Sequence, residues 1–182
     1  MESFDLNKVE NKNCYKKCNK NDRKAYTIDD MCVETLSTID NRPVRCVGDW
    51  AEEKIFYLVK YFGIFSQGMH IRWNGLNYIE ICSGPGRCVN RDTGIELDGT
   101  PLAIGKHKNL KYISNALFFD IDNEIVTNLN DRFIDNKLEK AQAIQGDYYH
   151  PETICNVLKE KYLLTILTLY LLIRQIVVYP LI

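Results

Sequence analysis

One stretch of the chain, Leu76 to Arg87, limits the possible folds more than any other. It reads LNYIEICSGPGR. Its bulky apolar residues predict a buried strand, and Glu80 near the end of that strand offers a carboxylate to a ligand. Ser83, Gly84 and Gly86 then let the backbone turn tightly and approach a ligand closely. A strand followed by an acid and a small-residue turn predicts a site for a nucleotide-type ligand.

The glycine spacing narrows the kind of site. A dinucleotide fingerprint needs G-x-G-x-x-G, and only Gly84-x-Gly86 is present. Counted from the acid, the segment Glu80-Ile81-Cys82-Ser83-Gly84-Pro85-Gly86 is similar to the acid-x-G-x-G-x-G turn of class I S-adenosylmethionine methyltransferases. Cys82 and Ser83 depart from that pattern at the first two small positions. A plain turn after a core strand is the alternative interpretation.

Neighbouring segments extend this similarity from about Cys46 to Asp147. They are WAEEK at 50–54, YFGIF at 61–65, GPGR at 84–87 and GTPLA at 99–103. Together they resemble the bacterial three-Cys-motif partner family. The resemblance implies a class I methyltransferase-like domain that binds S-adenosylmethionine, and it leaves the methyl acceptor open. It also implies a partner, the neighbouring three-cysteine protein for which the family is named, so the name says nothing about the cysteines of this chain.

A second apolar run, Ala116 to Asp120, predicts another strand that ends in an acid. The carboxyl ends of parallel strands face the ligand crevice in a doubly wound sheet, so Asp120 is placed to bind a ribose diol. An N-cap without a ligand is the alternative, but Asp122 and Asn123 already offer caps. The helix that follows has an apolar face made of Ile125, Val126, Leu129 and Phe133.

A third strand is predicted from Ala141 to Ile144, followed by a turn that contains Asp147. The methyltransferase resemblance implies that Asp147 accepts a hydrogen bond from the adenine amino group, whereas alone it would be an ordinary turn residue.

The spacing of the first two acids departs from the dinucleotide fingerprint. Glu80 and Asp120 lie 40 positions apart, although the usual acid follows the glycine turn by about 20. Residues 90–111 therefore predict an insertion.

A helix is predicted before the first strand. Asp49 and Glu52 have the spacing of a capping box, and Gly63 is a typical stop. Its apolar face consists of Ile55, Leu58, Val59 and Phe62. The aromatic residues Trp50, Tyr57 and Tyr61 predict core or interface positions. A second, short helix is predicted around Leu102 to Ile104.

Residues 1–45 lack apolar periodicity and contain several turn-forming asparagines, so they predict an irregular arm. Four of the seven cysteines lie in or next to this arm: Cys14, Cys18, Cys32 and Cys46. A segment without its own core can be organised by tetrahedral zinc. The spacing lacks paired C-x2-C knuckles, so free thiols in a loop-rich segment are the alternative to structural zinc.

Charge and the first residues bear on partners and compartment. A formal net charge of −1 gives no domain-wide basic excess, so bulk charge does not support nucleic-acid binding, although a local patch is compatible with it. The start, MESFDLNKVENKNC, lacks the apolar region of a secretory signal, which predicts a cytoplasmic protein. The scattered histidines predict no metal site, and Cys82 fits packing better than nucleophilic attack.

The last segment, residues 161–182, is almost entirely apolar. From Tyr162 it reads YLLTILTLYLLIRQIVVYPLI. Its length matches a membrane span of about 20 residues, although Arg174 near the middle costs about 2.5–3.5 kcal/mol on an insertion scale. Membrane association is expected only through residues 162–182. The leucine-rich composition without turn residues predicts a detached helix or a poorly ordered segment, and no strand of the sheet.

The genetic code offers another explanation of this tail. Leu169 to Pro180, back-translated and read one frame over with free third bases, permits Val-Phe-Ile-Asp-Pro-Thr-Asp-Cys-Ser-Val-Pro. That peptide is an apolar strand followed by Asp-Pro, the turn that the methyltransferase resemblance implies here. We therefore expect a frameshift near Lys159 to Lys161, where lysine codons supply adenine runs, and a chain truncated relative to the family.

The expected fold is α/β. Residues 46–160 would form the N-terminal part of a Rossmann-like class I methyltransferase domain, with three of the seven parallel strands that the resemblance implies. The first strand would then be an unpaired edge. The expected function is S-adenosylmethionine binding by an inactive fragment. The alternative is a non-catalytic scaffold that acts beside a three-Cys-motif protein in a mobile-element or phage-like system.

Overall fold

A computed structural model describes residues 6–14, 35–73, 75–160 and 167–172. They fold into a mixed α/β structure with two four-stranded sheets. In chain order the elements are β1 Val9–Glu10, β2 Arg45–Val47, α1 Trp50–Met69, β3 Leu76–Ile81, β4 Arg87–Asn90, β5 Ile95–Asp98, α2 Thr100–Gly105, a 3-10 helix Lys108–Tyr112, β6 Ile113–Asp120, α3 Asn123–Asp135, β7 Ala141–Gln145, α4 Pro151–Glu160 and β8 Leu167–Leu172.

The sheet that carries the predicted site is parallel throughout, in the order β7-β6-β3-β8. The three predicted strands are confirmed, and β6 begins at Ile113 instead of Ala116. β3 lies inside the sheet, and its residues from Leu76 to Glu80 are buried. The chain moves from β3 to β6 and β7 on one side and then returns to β8 on the other. The strand order therefore reverses at β3.

Helices cover both faces of this sheet. The larger core lies between the sheet and α1, α2 and α3, and the smaller core lies under α4. The predicted apolar face of α3 is confirmed, since Ile125, Val126, Leu129 and Phe133 are buried. Asp122 caps this helix by accepting a hydrogen bond from the Glu124 amide at 2.8 Å. The predicted short helix around Leu102 is also confirmed, as α2.

The second sheet, in the order β1-β5-β4-β2, was not predicted. β4 leads into the predicted insertion and forms an antiparallel hairpin with β5, which lies inside it, while β2 pairs parallel with β4. β1 pairs with β5, and the Leu6 side chain joins the larger core. The expectation of an irregular arm is therefore wrong for these residues, because the hairpin offers the arm a strand edge to pair with.

α1 begins after Asp49 as predicted, but its cap and its end differ from the prediction. The helix continues through Gly63 to Met69. A Cβ on Gly63 would lie 3.2 Å from the His107 ring, so glycine serves close packing here instead of ending the helix. The Asp49 side chain makes no cap. It accepts a hydrogen bond from Asn90 at 2.7 Å, which ties the start of α1 to the end of β4.

The tail contributes a strand. Leu167–Leu172 forms β8, which pairs residue by residue with Leu76–Ile81. The expectation of a detached helix that leaves β3 as an edge is therefore wrong for this segment, and the parallel sheet has four strands, not three. An open edge of β3 would leave backbone N–H and C=O groups unpaired, and pairing them outweighs the helix preference of leucine.

The rest of the tail, residues 161–166 and 173–182, lies outside the described residues. The expected frameshift stays a prediction, which the nucleotide sequence at the codons of residues 159–161 would test. Across the described ranges, no helix combines the length and the apolar character that a membrane crossing requires.

Candidate functional site

Three predicted acids lie at the carboxyl ends of neighbouring parallel strands. Glu80 is the penultimate residue of β3, Asp120 is the last residue of β6, and Asp147 follows β7. β6 lies between β3 and β7. The acids therefore follow one another along a single edge of the sheet, as the apolar runs that end near acids indicated.

The turn from β3 to β4 uses left-handed backbone at alternate residues. The φ angles of Cys82, Gly84 and Gly86 are +62°, +69° and +89°. Glycine adopts such angles freely, whereas a residue with a Cβ pays about 1–2 kcal/mol of steric energy. A Cβ on Gly86 would also lie 2.7 Å from Leu129 Cδ1. Glycine at this position therefore serves both the direction of the backbone and the packing of α3.

Asp120 and Arg132 hold this turn from two sides. Asp120 Oδ2 accepts a hydrogen bond from the Gly84 amide at 2.8 Å, and buried Arg132 donates to the Pro85 carbonyl at 2.5 Å. The same guanidinium donates to both carboxylate oxygens of Asp40, at 2.7 and 2.9 Å. Burial raises the pKa of Asp40, but the hydrogen bonds and charge of Arg132 outweigh it and lower the pKa to about 2.

Asp120 has a positioning role that the sequence did not indicate. Its Oδ2 binds the Gly84 amide, and its Oδ1 accepts from the Asp122 amide at 3.3 Å. A carboxylate oxygen has two acceptor sites, so each oxygen keeps one for a ligand hydroxyl. The ribose role of Asp120 stays a prediction.

Asp147 is half-buried and belongs to a local turn. Its Oδ1 accepts a hydrogen bond from the Tyr149 amide at 2.8 Å, and its Oδ2 lies 4.0 Å from His150 Nε2. These contacts are those of an ordinary turn, which was the alternative interpretation. The position at the end of β7 is the predicted one, and the adenine role stays a prediction.

A cavity of about 70 Å³ lies beside the turn. Its walls include predicted site residues and two cations: Arg45, Lys54, Glu80, Cys82, Ser83, Pro85 and Gly86. Pockets that enclose a whole drug-sized ligand measure about 300–1,000 Å³. This cavity therefore has room for one small group of a ligand. Asp120 lies behind the turn, where it accepts a hydrogen bond from the Gly84 amide. Asp147 lies further along the edge of the sheet.

Glu80 is fully buried in the wall of this cavity. The Tyr78 hydroxyl donates to Glu80 Oε2 at 2.8 Å, while Oε1 has no hydrogen-bond partner in the described part of the chain. Burial raises the pKa of Glu80 to about 8, outweighing the Tyr78 hydrogen bond and the charge of Lys54, and Asp120 adds to the rise. Protonated Glu80 can donate a hydrogen bond as well as accept one.

Sequence reasoning missed Arg45 and Lys54. Arg45 lay at the limit of the predicted arm, and its guanidinium packs against Gly84, where a Cβ would lie 3.4 Å from Nη1. Lys54 was named only as part of the segment WAEEK at 50–54, one of those that carry the family resemblance. A signal was present, however, because Lys54 lies beside Ala51 and Ile55 on the apolar side of a predicted helix, where a cation is unexpected.

The described ranges contain no site of the kind that the zinc prediction requires. Cys18 and Cys32 lie outside them, and no described group of three or more His, Cys, Asp or Glu side chains could hold a metal ion. Cys46 is buried on β2 with Val44 and Val89, and Cys14 packs against that cluster. Structural zinc stays a prediction for metal analysis to test.

A second cavity, of about 500 Å³, lies at the opposite end of the parallel sheet. Its walls include Asn130 and Phe133 of α3 and Ala141 at the start of β7. The amino end of a parallel strand is not where ligands bind in such sheets. The carboxyl edge therefore remains the candidate site.

Comparison with known proteins adds no family to this geometry. No protein-family model, curated protein or solved structure matches the chain. The three-Cys-motif partner resemblance therefore stays a prediction that rests on the short segments in residues 50–103.

Proposed function

We propose that the carboxyl edge of the parallel sheet binds S-adenosylmethionine, as in a methyltransferase-like protein of the three-Cys-motif partner kind. One observation carries the proposal: Glu80, Asp120 and Asp147 lie at successive parallel strands beside a left-handed turn. Open α/β sheets bind ligands outside the carboxyl ends of their strands, where the strand order reverses. In this chain the order reverses at β3, next to the turn.

The proposal assigns a part of the cofactor to each strand. The turn at Ser83 to Gly86 and Glu80 would contact the methionine and the ribose, Asp120 the ribose hydroxyls and Asp147 the adenine amino group. The small cavity would take one end of the cofactor only. The nucleoside would then lie outside it, across the strand ends from β3 towards β7.

The proposal covers binding and names no methyl acceptor. Methyl transfer depends mainly on holding an acceptor in line with the sulfonium. We expect this chain to bind the cofactor without turnover. Incorporation of labelled methyl groups from S-adenosylmethionine into protein or nucleic acid would contradict that expectation and extend the function to catalysis.

Asp147→Ala tests the proposal at the adenine end. S-adenosylhomocysteine should bind the unaltered chain in calorimetry, and the variant should bind at least tenfold more weakly because an acceptor is lost. Asp92→Ala is the matched control, since Asp92 is an exposed acid in the β4–β5 turn. No saturable binding by the unaltered chain, or equal affinity in both variants, would overturn the proposal.

A scaffold role beside a three-Cys-motif protein is the second candidate, and the outer side of α1 favours it. Trp50, Tyr57 and Tyr61 are 52%, 57% and 56% exposed. Of the predicted core or interface positions, the core is therefore wrong and the interface stays a prediction. Exposed aromatic residues on one helix are typical of interfaces. A double Tyr57→Ser, Tyr61→Ser variant should lose co-purification with that protein while still binding S-adenosylhomocysteine. Unchanged co-purification would reject this surface.

A further inference from the structure

Three buried polar atoms at the cavity beside the turn lack hydrogen-bond partners among the described residues. They are Arg45 Nε, Glu80 Oε1 and Ser83 Oγ. All three residues line the same cavity. More than nine in ten buried polar groups in proteins have a partner, so three such atoms around one space indicate a missing polar ligand or water.

The charges around this space are also unbalanced. Lys54 from α1 and Arg45 from β2 line this space together with Glu80, and neither cation forms a salt bridge with a described residue. Burial lowers the pKa of Lys54, the charge of Glu80 opposes that, and the charge of Arg45 adds to it. Glu80 keeps its proton near neutral pH. Two cations then face a neutral acid, which favours a bound anion.

The neighbouring charged and polar groups bond to other partners. Arg87 of β4 forms ion pairs with Glu96 and Asp98. Asp120 of β6 accepts from the Gly84 amide. The Tyr78 hydroxyl, on the same strand as Glu80, donates to that acid. None of these groups neutralises Arg45 or Lys54.

The arrangement suits a carboxylate better than a phosphate. A phosphate at a glycine turn is cradled by backbone amides. Here the Ser83 amide already donates to the Phe119 carbonyl at 3.0 Å and the Gly84 amide to Asp120 at 2.8 Å. The side-chain donors of Arg45, Lys54 and Ser83 lie around a space of about 70 Å³, which fits a small, singly charged, planar group.

We propose that Arg45, Lys54, Ser83 and Glu80 form a binding site for the carboxylate group of a ligand. The carboxylate could belong to a free amino acid or to the methionine end of S-adenosylmethionine. In the second case the inference deepens the proposed function and rests on it. Arg45 and Lys54 supply the charge, and the Ser83 and Glu80 hydroxyls donate hydrogen bonds to the carboxylate oxygens.

A proton on Glu80 is part of this site. When Glu80 ionises, a second negative charge faces the ligand carboxylate, and the hydrogen bond from Glu80 is lost. With the pKa of Glu80 at about 8, the affinity should fall about tenfold between pH 7 and pH 9. Glu80→Gln keeps the shape and a donor but cannot ionise, so its affinity should not follow this fall.

The experiment is calorimetry on the full chain with S-adenosylhomocysteine, methionine and adenosine, which lacks a carboxylate. Arg45→Met and Lys54→Met should each weaken the two carboxylate ligands at least tenfold and leave adenosine unaffected. Lys60→Met is the matched control, since Lys60 is an exposed lysine on the same helix. Circular dichroism of each variant separates lost binding from lost folding, and the Glu80→Gln profile gives an independent test.

The outcomes separate this inference from the proposed function. Methionine binding that depends on Arg45, without adenosine or S-adenosylhomocysteine binding, would support the carboxylate site and reject the cofactor. S-adenosylhomocysteine binding that is equal in Arg45→Met, Lys54→Met and the unaltered chain would reject the carboxylate site alone. Failure of both carboxylate ligands to bind, or a Glu80→Gln profile that falls like that of the unaltered chain, would also overturn it.

Discussion

Two buried polar clusters of this protein contain the same kinds of side chain but differ in how they are satisfied. In the hairpin, Arg87 pairs with Glu96 and Asp98. Glu96 also accepts hydrogen bonds from Asn11 at 2.8 Å and from Ser37 at 2.6 Å. At the carboxyl edge of the parallel sheet, atoms of Arg45, Glu80 and Ser83 lack hydrogen-bond partners among the described residues.

The difference separates a structural role from a binding role. The Arg87 cluster joins the hairpin to the arm, and Lys106 completes it by binding Asp98 at 2.7 Å. Its charges neutralise one another, so they need no ligand. The Arg45 cluster opens at the strand ends and carries unbalanced positive charge. Residue type alone does not distinguish the two, whereas the hydrogen-bond partners do.

The largest expected effect is in the satisfied cluster. Arg87→Met should lower the free energy of unfolding by about 3–5 kcal/mol, because it leaves the buried Glu96 carboxylate without its cation. Urea denaturation measures the loss. The double variant Arg87→Met, Glu96→Gln should recover part of it, because the unpaired charge is then removed.

Arg42→Met is the control for this prediction. Arg42 pairs with Asp135 at 2.6 Å, but both side chains are partly exposed. Removing an exposed pair costs about 1 kcal/mol or less. Equal losses in Arg42→Met and Arg87→Met would show that the Arg87 cluster does not support the fold in the way described.

An intermediate effect is expected at Glu80. Below pH 4.5 this acid is protonated in the folded and unfolded chain, and between pH 4.5 and about 8 only the folded chain keeps the proton. Glu80 therefore lowers the free energy of unfolding as the pH rises, by about 2.5 kcal/mol between pH 5 and pH 7. The difference between the unaltered chain and Glu80→Gln in urea denaturation isolates this contribution. A difference that is constant with pH would mean that Glu80 is ionised in the fold.

The smallest effect concerns the turn that joins the two clusters. At Cys82 the backbone is left-handed, so Cys82→Gly should be about 1 kcal/mol more stable than Cys82→Ala. At Cys155, exposed on α4, the order should reverse by about 1 kcal/mol because glycine disfavours a helix. Thermal unfolding of the four variants measures both differences. The same order at both positions would contradict the left-handed conformation of Cys82.

Three strands of the parallel sheet were predictable because they contain local apolar runs. Leu76–Ile81 and Ile113–Asp120 bury most of their residues, Ala141–Gln145 buries Ala143, and each of the three strands ends near an acid. α3 repeats apolar residues at helical spacing. The acids at the strand ends followed from the same pattern. These features depend on neighbours in sequence, which is the range that periodicity detects.

The hairpin and its charges were not predictable in this way. Arg87, Glu96 and Asp98 resemble a solvated loop in sequence, and their burial depends on partners such as Asn11, 85 positions from Glu96. Arg132 resembles an exposed helix residue until Asp40 is placed beside it, 92 positions away. Contacts of this range leave no periodic signal.

The tail shows the same limit from the other side. Helix propensity is only a weak preference, and the leucine-rich composition of this segment favoured a helix. The structure pairs Leu167–Leu172 with β3 because that edge is open to pairing. Tertiary context therefore determined the conformation of this segment, and local propensity did not.

The anchored turn after β3 has a consequence for the rate and thermodynamics of binding. Asp120 and Arg132 hold its backbone through the Gly84 amide and the Pro85 carbonyl without any ligand. The conformational entropy of ordering these residues is therefore lost during folding and not again at association. A ligand that reaches this edge should meet a rigid surface, so its association rate should depend on diffusion and charge more than on a slow rearrangement of the loop.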